Sequence, residues 1–116
     1  MNKRDNHLLL IIKEEIEILM DLVKGYNLDS FLSDEKTRRS VVLTLINIVE
    51  CVKSLSDELK QFYPDTNWQN ISNLRNIAAH NYWGLRMDDI WDNVTKDVPE
   101  LLEQMNEILR NEGGEE

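Results

Sequence analysis

Several features that mark other protein classes are scarce or missing in this chain of 116 residues. Its single cysteine, Cys51, excludes an internal disulfide and suits a reducing compartment. No apolar run reaches the roughly 18 residues that a membrane-spanning helix needs. The apolar stretch after residues 1–5 is interrupted by charges at residues 13–15, which makes it a poor secretory signal. We therefore expect a cytoplasmic protein with no membrane contact.

Positive charge, histidine and glycine-rich phosphate loops are also scarce. The net charge is −9, which argues against broad nucleic-acid binding but leaves room for a small cationic cleft. Two histidines and one cysteine cannot form a standard zinc site, and no glycine-rich phosphate loop is present. We expect neither a metal nor a cofactor.

The remaining composition fits one soluble domain. Hydrophobic residues make up 41% of the chain and charged residues 30%, and the length allows one core. We predict a single helical domain over residues 1–111. Residues 112–116 contain two glycines and three glutamates and are predicted to form a disordered acidic tail.

Apolar spacing predicts helices along the whole domain, with no convincing strand alternation. A helix over 4–24 ends before Gly25, and a linker over 26–32 places Phe31 and Leu32 in the core. Ser33 or Asp34 caps one long helix that reaches residue 62. Its apolar residues form a heptad pattern at Val41, Leu45, Ile48, Val52, Leu55, Leu59 and Phe62.

The second half of the chain predicts shorter helices. The Tyr63-Pro64 pair ends the long helix, and Asn67 caps a helix over 68–81 that Gly84 terminates. A short helix covers 87–95, and Asp97 caps a last helix that runs to residue 111. The fold class is therefore all-α, an antiparallel bundle of four to five helices.

The long helix carries a second apolar stripe, at Val42, Ile46 and Val49, beside its heptad pattern. A face this wide implies two packing neighbours. One neighbour can come from a second subunit, which predicts a homodimer, or both can come from a four-helix core within a monomer.

The stretch from Arg75 to Tyr82 concentrates the chemistry of the chain. It places a cation, an imidazole and a phenol within eight residues, and His80 is one of only two histidines. On a straight helix Arg75 and His80 lie about 140° apart around the axis, so one helix cannot aim both at one atom. Either arginine leans and the last turn unwinds, or two copies of the helix meet so that Arg75 of one lies near His80 of the other.

This pattern suits RNA phosphodiester cleavage. The reaction needs a base for the 2′-hydroxyl, an acid for the leaving 5′-oxygen and a cation on the developing phosphorane. Histidine can serve either proton role near neutrality, and arginine presents a planar fork to phosphate oxygens. The spacing alone is weak, and it favours the simpler interpretation of His80 as a helix-end histidine and of Tyr82 as a core-edge tyrosine.

Other candidates have simpler interpretations. The basic cluster of Lys36, Arg38 and Arg39 is most simply a solvated surface, and Cys51 a small buried hydrophobic residue. The acidic residues 88, 89 and 92 match the start of a helix. The three tryptophans could stack on bases, although we expect at least two of them to pack in the core or an interface.

Several motifs in order resemble the HepT-like toxins of the HEPN superfamily (higher eukaryotes and prokaryotes nucleotide-binding). Arg75, His80 and Tyr82 match the signature Arg-x4-His-x-Tyr, and residues 82–84 are similar to Tyr-Phe-Gly. Residues 50–56 resemble the segment Gly-Glu-Ala-x-Lys-x-Leu-Ser, with Val49 in place of the glycine. Trp68, Trp91 and residues 97–101 also fit family positions, and Asn67 stands where proline is frequent.

The resemblance implies a dimeric helical bundle with metal-independent endoribonuclease activity, toxic to its own cell. It implies that His80 is the acid and base, that Arg75 clamps phosphate and that both protomers contribute to one cleft. Asn76 and Glu50 are supporting residues. The implied partners are RNA and an antitoxin, a minimal nucleotidyltransferase of the MntA type, which attaches AMP to Tyr82.

A second hypothesis gives the chain no catalytic role. In this alternative the bundle binds a nucleotidyltransferase or accepts its AMP, which the acidic charge favours, whereas the intact Arg75 and His80 pair favours the enzyme. A weaker third hypothesis is a purely structural dimerisation module.

Overall fold

The computed structural model describes residues 2–66, 68 and 82–112. Within these ranges the regular elements are helical and no β-strand occurs, so the predicted all-α fold is confirmed. In chain order the elements are α1 (Lys3–Val23), α2 (Leu28–Ser33), α3 (Glu35–Ser54), α4 (Asp57–Phe62), a 3-10 turn (Tyr82–Gly84), α5 (Met87–Asp92), a π-helical turn (Asn93–Asp97) and α6 (Val98–Glu112).

The bounds of α1 follow from local chemistry at its two ends. The Asn2 side chain accepts a hydrogen bond from the Asp5 backbone N–H at 2.7 Å and caps the first turn. After the helix, Gly25 adopts φ of +82°, a left-handed conformation that glycine takes at no steric cost. The predicted bounds, 4–24, differ from the observed ones by one residue at each end.

The predicted linker over 26–32 is wrong, because most of it forms α2. Asn27 and Ser30 build a reciprocal capping box, each side chain bonding the other's backbone N–H at 2.9 Å. Phe31 is fully buried, as predicted, whereas Leu32 is 41% exposed and lies outside the core. Leu32 lies about 100° around the α2 axis from Phe31, which turns it away from the side that packs on the core.

The single long helix predicted to reach residue 62 is also wrong. Asp34 caps α3, as expected, but this helix ends at Ser54, and α4 begins at Asp57. Between them the Asp5 carboxylate accepts hydrogen bonds from the Ser56 backbone N–H at 3.0 Å and from its hydroxyl at 2.6 Å. The Ser56 hydroxyl oxygen in turn accepts from the Leu59 N–H and caps α4. Asp5, 51 positions earlier in sequence, thus replaces the backbone carbonyl that would accept from the Ser56 N–H in a continuous helix.

The heptad pattern survives this break in the helix. Its members from Val41 to Leu59 are all buried, and Val42 and Val49 of the second stripe are buried with them. Phe62, the last member, is 72% exposed, so the heptad pattern does not hold at its final position. The apolar pattern therefore predicts burial correctly even where the backbone changes direction.

The core forms where α1 lies antiparallel on α3 and α6 packs against α1. Asn47 donates to Glu15 at 3.2 Å midway along α1 and α3, and Asp5 meets Ser56 at one end, which fixes their relative register. Phe31 of α2 and Trp91 of α5 stack with ring centroids 5.1 Å apart and join the short helices to this core.

The helices predicted at 87–95 and from Asp97 onwards form one continuous helical segment. A π-helical turn over Asn93–Asp97 connects α5 to α6, and the Val98 N–H donates to the Asn93 carbonyl. Asp97 therefore caps no helix. Pro99 explains the wide turn, because it has no N–H to donate and its ring would clash with the carbonyl four residues earlier.

Some predictions concern residues outside the described ranges. The helix predicted over 68–81 and its predicted cap, Asn67, lie outside the described residues, except for Trp68. Residues 113–116 of the predicted tail lie outside them as well. Glu112, assigned to the tail, is the last residue of α6 and accepts a hydrogen bond from the Tyr63 hydroxyl at 2.9 Å. Burial, aided by this bond to Glu112, raises the pKa of Tyr63. Among the helices that the structure describes, none is long and apolar enough to cross a membrane.

The Asp5 carboxylate is 2% exposed and holds the corner between α3 and α4, so we predict that Asp5→Ala destabilises the fold. The change leaves the Ser56 N–H without its acceptor, which costs roughly 1–3 kcal/mol of unfolding free energy. Urea denaturation followed by circular dichroism measures this cost. Glu17→Ala, an exposed carboxylate on the same helix, is the control and should stay within about 0.5 kcal/mol. Equal denaturation midpoints for the two variants would contradict the assigned role of Asp5.

The cap of α3 generates a pH prediction. The Tyr26 hydroxyl donates to Asp34 at 2.7 Å, and Thr37 donates through its N–H and hydroxyl, so the pKa of Asp34 lies below its ordinary 3.8. A depressed carboxyl pKa adds stability above pH 3.8 that is lost as the pH falls through the folded-state value. Tyr26→Phe should raise the Asp34 pKa towards 3.8 in an NMR titration. Tyr63→Phe is the control, and a rise of the Asp34 pKa in it as well would reject the assignment.

Candidate active site

Two of the five predicted site residues lie in the part of the chain that the structure describes. Tyr82 begins the 3-10 turn and Glu50 lies on α3. Arg75, Asn76 and His80 lie outside the described residues, so their roles remain predictions. The geometry of the site is therefore built outward from Tyr82.

The Tyr82 side chain is half-buried against the core, and its hydroxyl oxygen is enclosed. Within the described part of the chain this oxygen has no hydrogen-bond partner. A buried polar atom without a partner costs roughly 1–3 kcal/mol, so such atoms are few; among the described residues Asn6 and Asn106 each have one as well. The core-edge position of Tyr82 fits the simpler interpretation of this residue, but its unpaired hydroxyl needs a further explanation.

A cation covers the Tyr82 ring. The guanidinium carbon of Arg39 lies 4.4 Å from the ring centroid, within the range of a cation–π interaction. Glu35, one turn earlier on α3, accepts from the Arg39 Nη2 at 3.1 Å. This pair has the favourable order, with the acid nearer the N-terminus of the helix, and is half-exposed. Arg39 is therefore held on two sides, by an aromatic face and by a carboxylate.

Arg39 was not singled out as a site candidate. Its side chain is 51% exposed, as its interpretation as a solvated surface residue expects, but it also contacts the Tyr82 ring. The interpretation fits Lys36, which is exposed, and Arg38, whose guanidinium donates to the Leu32 carbonyl. For Arg39 it is incomplete, because the contact with Tyr82 joins residues 43 positions apart, which helical spacing cannot predict. The available signal was a cluster of cations in a chain of net charge −9.

Trp83 is the most exposed large hydrophobic side chain among the described residues, at 80%. It meets the Tyr82 ring edge to face, with centroids 5.5 Å apart, and the Arg39 guanidinium lies 5.7 Å from its ring. Trp68 and Trp91 pack against the core instead. The expectation that at least two tryptophans serve packing is confirmed.

Glu50 is exposed and lies away from this cluster. Eleven residues separate it from Arg39 on α3, which places the two on the same face about 16 Å apart. A direct contact of Glu50 with Arg39 is therefore excluded. Its supporting role stays a prediction.

The remaining candidates keep their simple interpretations. Cys51 is partly buried, and burial, followed by the charges of Glu15 and Glu50, raises the pKa of its thiol, which disfavours the nucleophilic thiolate. Asp88 pairs with Arg86 at 3.1 Å, and this hydrogen bond lowers the pKa of Asp88. No group of side chains in the described ranges is arranged to hold a metal ion.

The described cluster therefore offers a guanidinium, two aromatic faces, a phenol and the Glu35 carboxylate, which is paired with Arg39. These groups can bind a phosphate and a flat ring. The predicted proton-transfer group, the imidazole of His80, lies two residues before Tyr82 in sequence, outside the described residues.

Comparison with known proteins is informative over nearly the whole chain. The family model described as "Ribonuclease HepT-like" matches residues 12–108, a span that includes Arg39, the motif from Arg75 to Tyr82, and Trp83. No solved structure matches the chain.

Named relatives point in the same direction. The chain is 32% identical to "Putative RNase MJ0127" of Methanocaldococcus jannaschii, an alignment that covers 100% of the chain and 97% of that protein. It is 35% identical to "Putative RNase TTE0752" of Caldanaerobacter subterraneus, over 87% of the chain and 90% of that protein. Identity to "Probable ribonuclease HepT" of Thermococcus cleftensis is 28%, over 85% of the chain and 90% of that protein.

The family model covers far more than half of the chain, and the helical architecture agrees with the one that the resemblance implied. The chain therefore belongs to the ribonuclease HepT-like family, which confirms both the resemblance and the enzyme class that it implied.

Proposed function

We propose that the chain is a metal-independent endoribonuclease toxin that cleaves RNA at a composite site built by two protomers. The observation that carries this proposal is the Arg75-x4-His80-x-Tyr82 motif inside the span matched by the ribonuclease family. The toxin acts in the cytoplasm and belongs to a toxin–antitoxin pair.

The proposed chemistry is a transesterification at phosphorus. His80 of one protomer removes the proton from the 2′-hydroxyl, and the 2′-oxygen attacks the adjacent phosphorus. His80 of the partner subunit gives a proton to the 5′-oxygen as its bond to phosphorus breaks. Arg75 neutralises the charge that builds on the phosphorane oxygens. The two imidazoles supply the base and the acid, and the guanidinium stabilises the developing negative charge, so the proposed step needs no metal ion.

A homodimer supplies what one helix cannot. Arg75 and His80 of a regular helix lie about 140° apart around its axis, whereas residues from two symmetric copies can meet at the two-fold axis. Val42 and Val49 of the second stripe on α3 are buried within the single chain, so the dimer is proposed from the motif and not from that stripe. Leu43, at 60% exposure, is the large apolar side chain that α3 exposes. Asn76 and Glu50 are proposed to orient these groups.

The proposed antitoxin is a minimal nucleotidyltransferase that modifies Tyr82. The phenol oxygen attacks the α-phosphorus of ATP, pyrophosphate leaves, and the phenol proton passes to a base on the antitoxin. The enclosed position of the Tyr82 hydroxyl means that the ring must move outward before this reaction. The adduct places an anion beside the cationic site and blocks it.

One observation favours a second candidate function. The net charge of −9 opposes RNA binding, so the chain could instead accept AMP or bind the nucleotidyltransferase without cleaving RNA. The two functions differ in whether RNA cleavage occurs and depends on His80, so a His80 variant compared with the parent separates them.

We predict that His80→Ala abolishes RNA cleavage and growth arrest. Removing a general acid–base group typically lowers the rate by 10²–10⁴-fold. The measurement is cleavage of total RNA by purified protein with EDTA present, paired with growth after induction in cells.

The control for this experiment is His7→Ala, which removes the exposed histidine of α1 and should leave the cleavage rate unchanged. If the His80→Ala variant cleaves RNA as fast as the parent, the catalytic assignment is wrong. If neither the parent nor the variant cleaves RNA or stops growth, the binding function is favoured.

Tyr82→Phe should retain toxicity but lose AMP attachment. The substitution removes the attacking oxygen and also a buried hydroxyl without a partner, so the fold should lose little stability. Intact-mass spectrometry after incubation with the antitoxin and ATP detects the adduct. Tyr26→Phe and Tyr63→Phe are matched controls that should still gain it. An adduct on the Tyr82→Phe variant would assign the modification to another residue.

A further inference from the structure

The position of Trp83 calls for a ligand. An indole that is 80% exposed is unusual, because tryptophan is normally highly buried. The Tyr82 ring contacts the indole edge to face, with an angle of 84° between the two ring planes. Trp83 is therefore an exposed aromatic surface at the candidate active site.

A cation lies next to this surface. The Arg39 guanidinium is 5.7 Å from the Trp83 ring centroid, and its side chain is 51% exposed. Glu35 occupies the Nε and Nη2 side of the guanidinium, at 3.4 and 3.1 Å. The Nη1 group belongs to neither of these bonds and has two further N–H donors for an anion.

We propose that Trp83 and Arg39 bind one nucleotide of the RNA substrate next to the scissile phosphate. The base stacks on the exposed face of the indole, and the Arg39 guanidinium binds the phosphate of the same or the adjoining nucleotide. This inference rests on the proposed ribonuclease function and adds a substrate contact to it.

Chain connectivity places this contact beside the reaction. Trp83 is three residues after His80, so their α-carbons are at most about 11 Å apart whatever the conformation between them. A phosphate held at His80 therefore brings its neighbouring nucleotide within reach of the indole. This bound holds for any arrangement of the intervening residues.

The chemistry of the cluster fits a nucleotide better than a second copy of this chain. A nucleotide joins an anion to a flat π-surface within a few ångströms, which matches a guanidinium next to an indole. Base–aromatic stacking tolerates any base, and arginine adds a cation–π contribution.

Glu35 limits the affinity of Arg39 for an RNA phosphate. Its carboxylate competes with the RNA phosphate for Arg39 and repels that phosphate at the same time. Neutralising it by Glu35→Gln should strengthen RNA binding, whereas loss of Arg39 should weaken it. Opposite effects from two side chains in contact are a signature that a purely structural role would not give.

The test measures binding of a fluorescein-labelled single-stranded 2′-O-methyl RNA to the full chain by fluorescence anisotropy. The methyl group blocks attack by the 2′-oxygen, so binding is measured without cleavage. Trp83→Ala should raise Kd about tenfold, and Trp83→Phe should recover most of the affinity. Arg39→Ala should lower the slope of log affinity against log salt by about 0.7, the value for one phosphate contact on a single strand.

Matched controls come from α4. Phe62 is an exposed aromatic residue and Lys60 a cation, and Phe62 lies by Asn2 and Asp5 at the end of α1 that meets the C-terminal end of α3. Arg39 is 15 residues, or about 22 Å, from that end of α3. Phe62→Ala and Lys60→Ala should leave Kd and the salt slope unchanged. Circular dichroism verifies that every variant is folded.

The outcomes separate this inference from the function on which it rests. If the parent chain cleaves RNA while Trp83→Ala and Arg39→Ala bind as tightly as the parent, the nucleotide contact is wrong and the ribonuclease proposal stands. If the parent neither binds nor cleaves RNA, the proposed function itself fails. If Trp83→Ala changes the oligomeric state in sedimentation velocity, the indole belongs to a contact between copies, and the stacking role is wrong.

Discussion

The antiparallel contact between α1 and α3 is the constraint on which the rest of this structure depends. Their facing stripes are fully buried at Leu9, Ile12, Ile16, Leu19, Val41, Leu45 and Ile48, and the two helices supply half of the buried hydrophobic residues that the structure describes. Packing of this kind dominates folding energy, at about 25 cal/mol per Å² of apolar surface removed from water. Because α3 is fixed along its whole length, the cation near its start has a defined position against the turn that carries Tyr82.

The elements that sequence predicted well are those controlled by local periodicity and capping. Apolar spacing identified α1 and the buried face of α3, and Asp34 and Gly25 marked helix ends correctly. The break at Ser56 could not be predicted, because its cause is the carboxylate of Asp5, a partner 51 positions away. The π-helical turn was missed for a different reason: Pro99 is compatible with the first turn of a new helix, and only the backbone path decides between the two.

The candidate site shows the same division between local and distant information. The motif of Arg75, His80 and Tyr82 is readable because its members are close in sequence, and the family assignment depends on such ordered motifs. Arg39 was not readable, since its contact with Tyr82 connects two helical regions 43 positions apart. A small cationic and aromatic surface on a chain of net charge −9 resolves the apparent conflict between an acidic protein and a phosphate-binding site. The average charge of a protein governs its solubility and its long-range attraction to charged molecules. Binding at one site depends instead on the few charged groups within about one Debye length of the ligand.

The π-helical turn has a consequence for how this chain tolerates changes in length. Residues 93–97 resemble a polar connector in sequence, and a surface loop of that composition usually accepts insertions and deletions. Here the connector is itself helical, so removing one residue would rotate everything beyond it by about 100°. Trp91 before the turn faces Phe31, while Val98 and Leu101 after it face the core, and both orientations need the present number of residues. The segment is therefore a fixed-length spacer, in which side chains can vary while their number cannot.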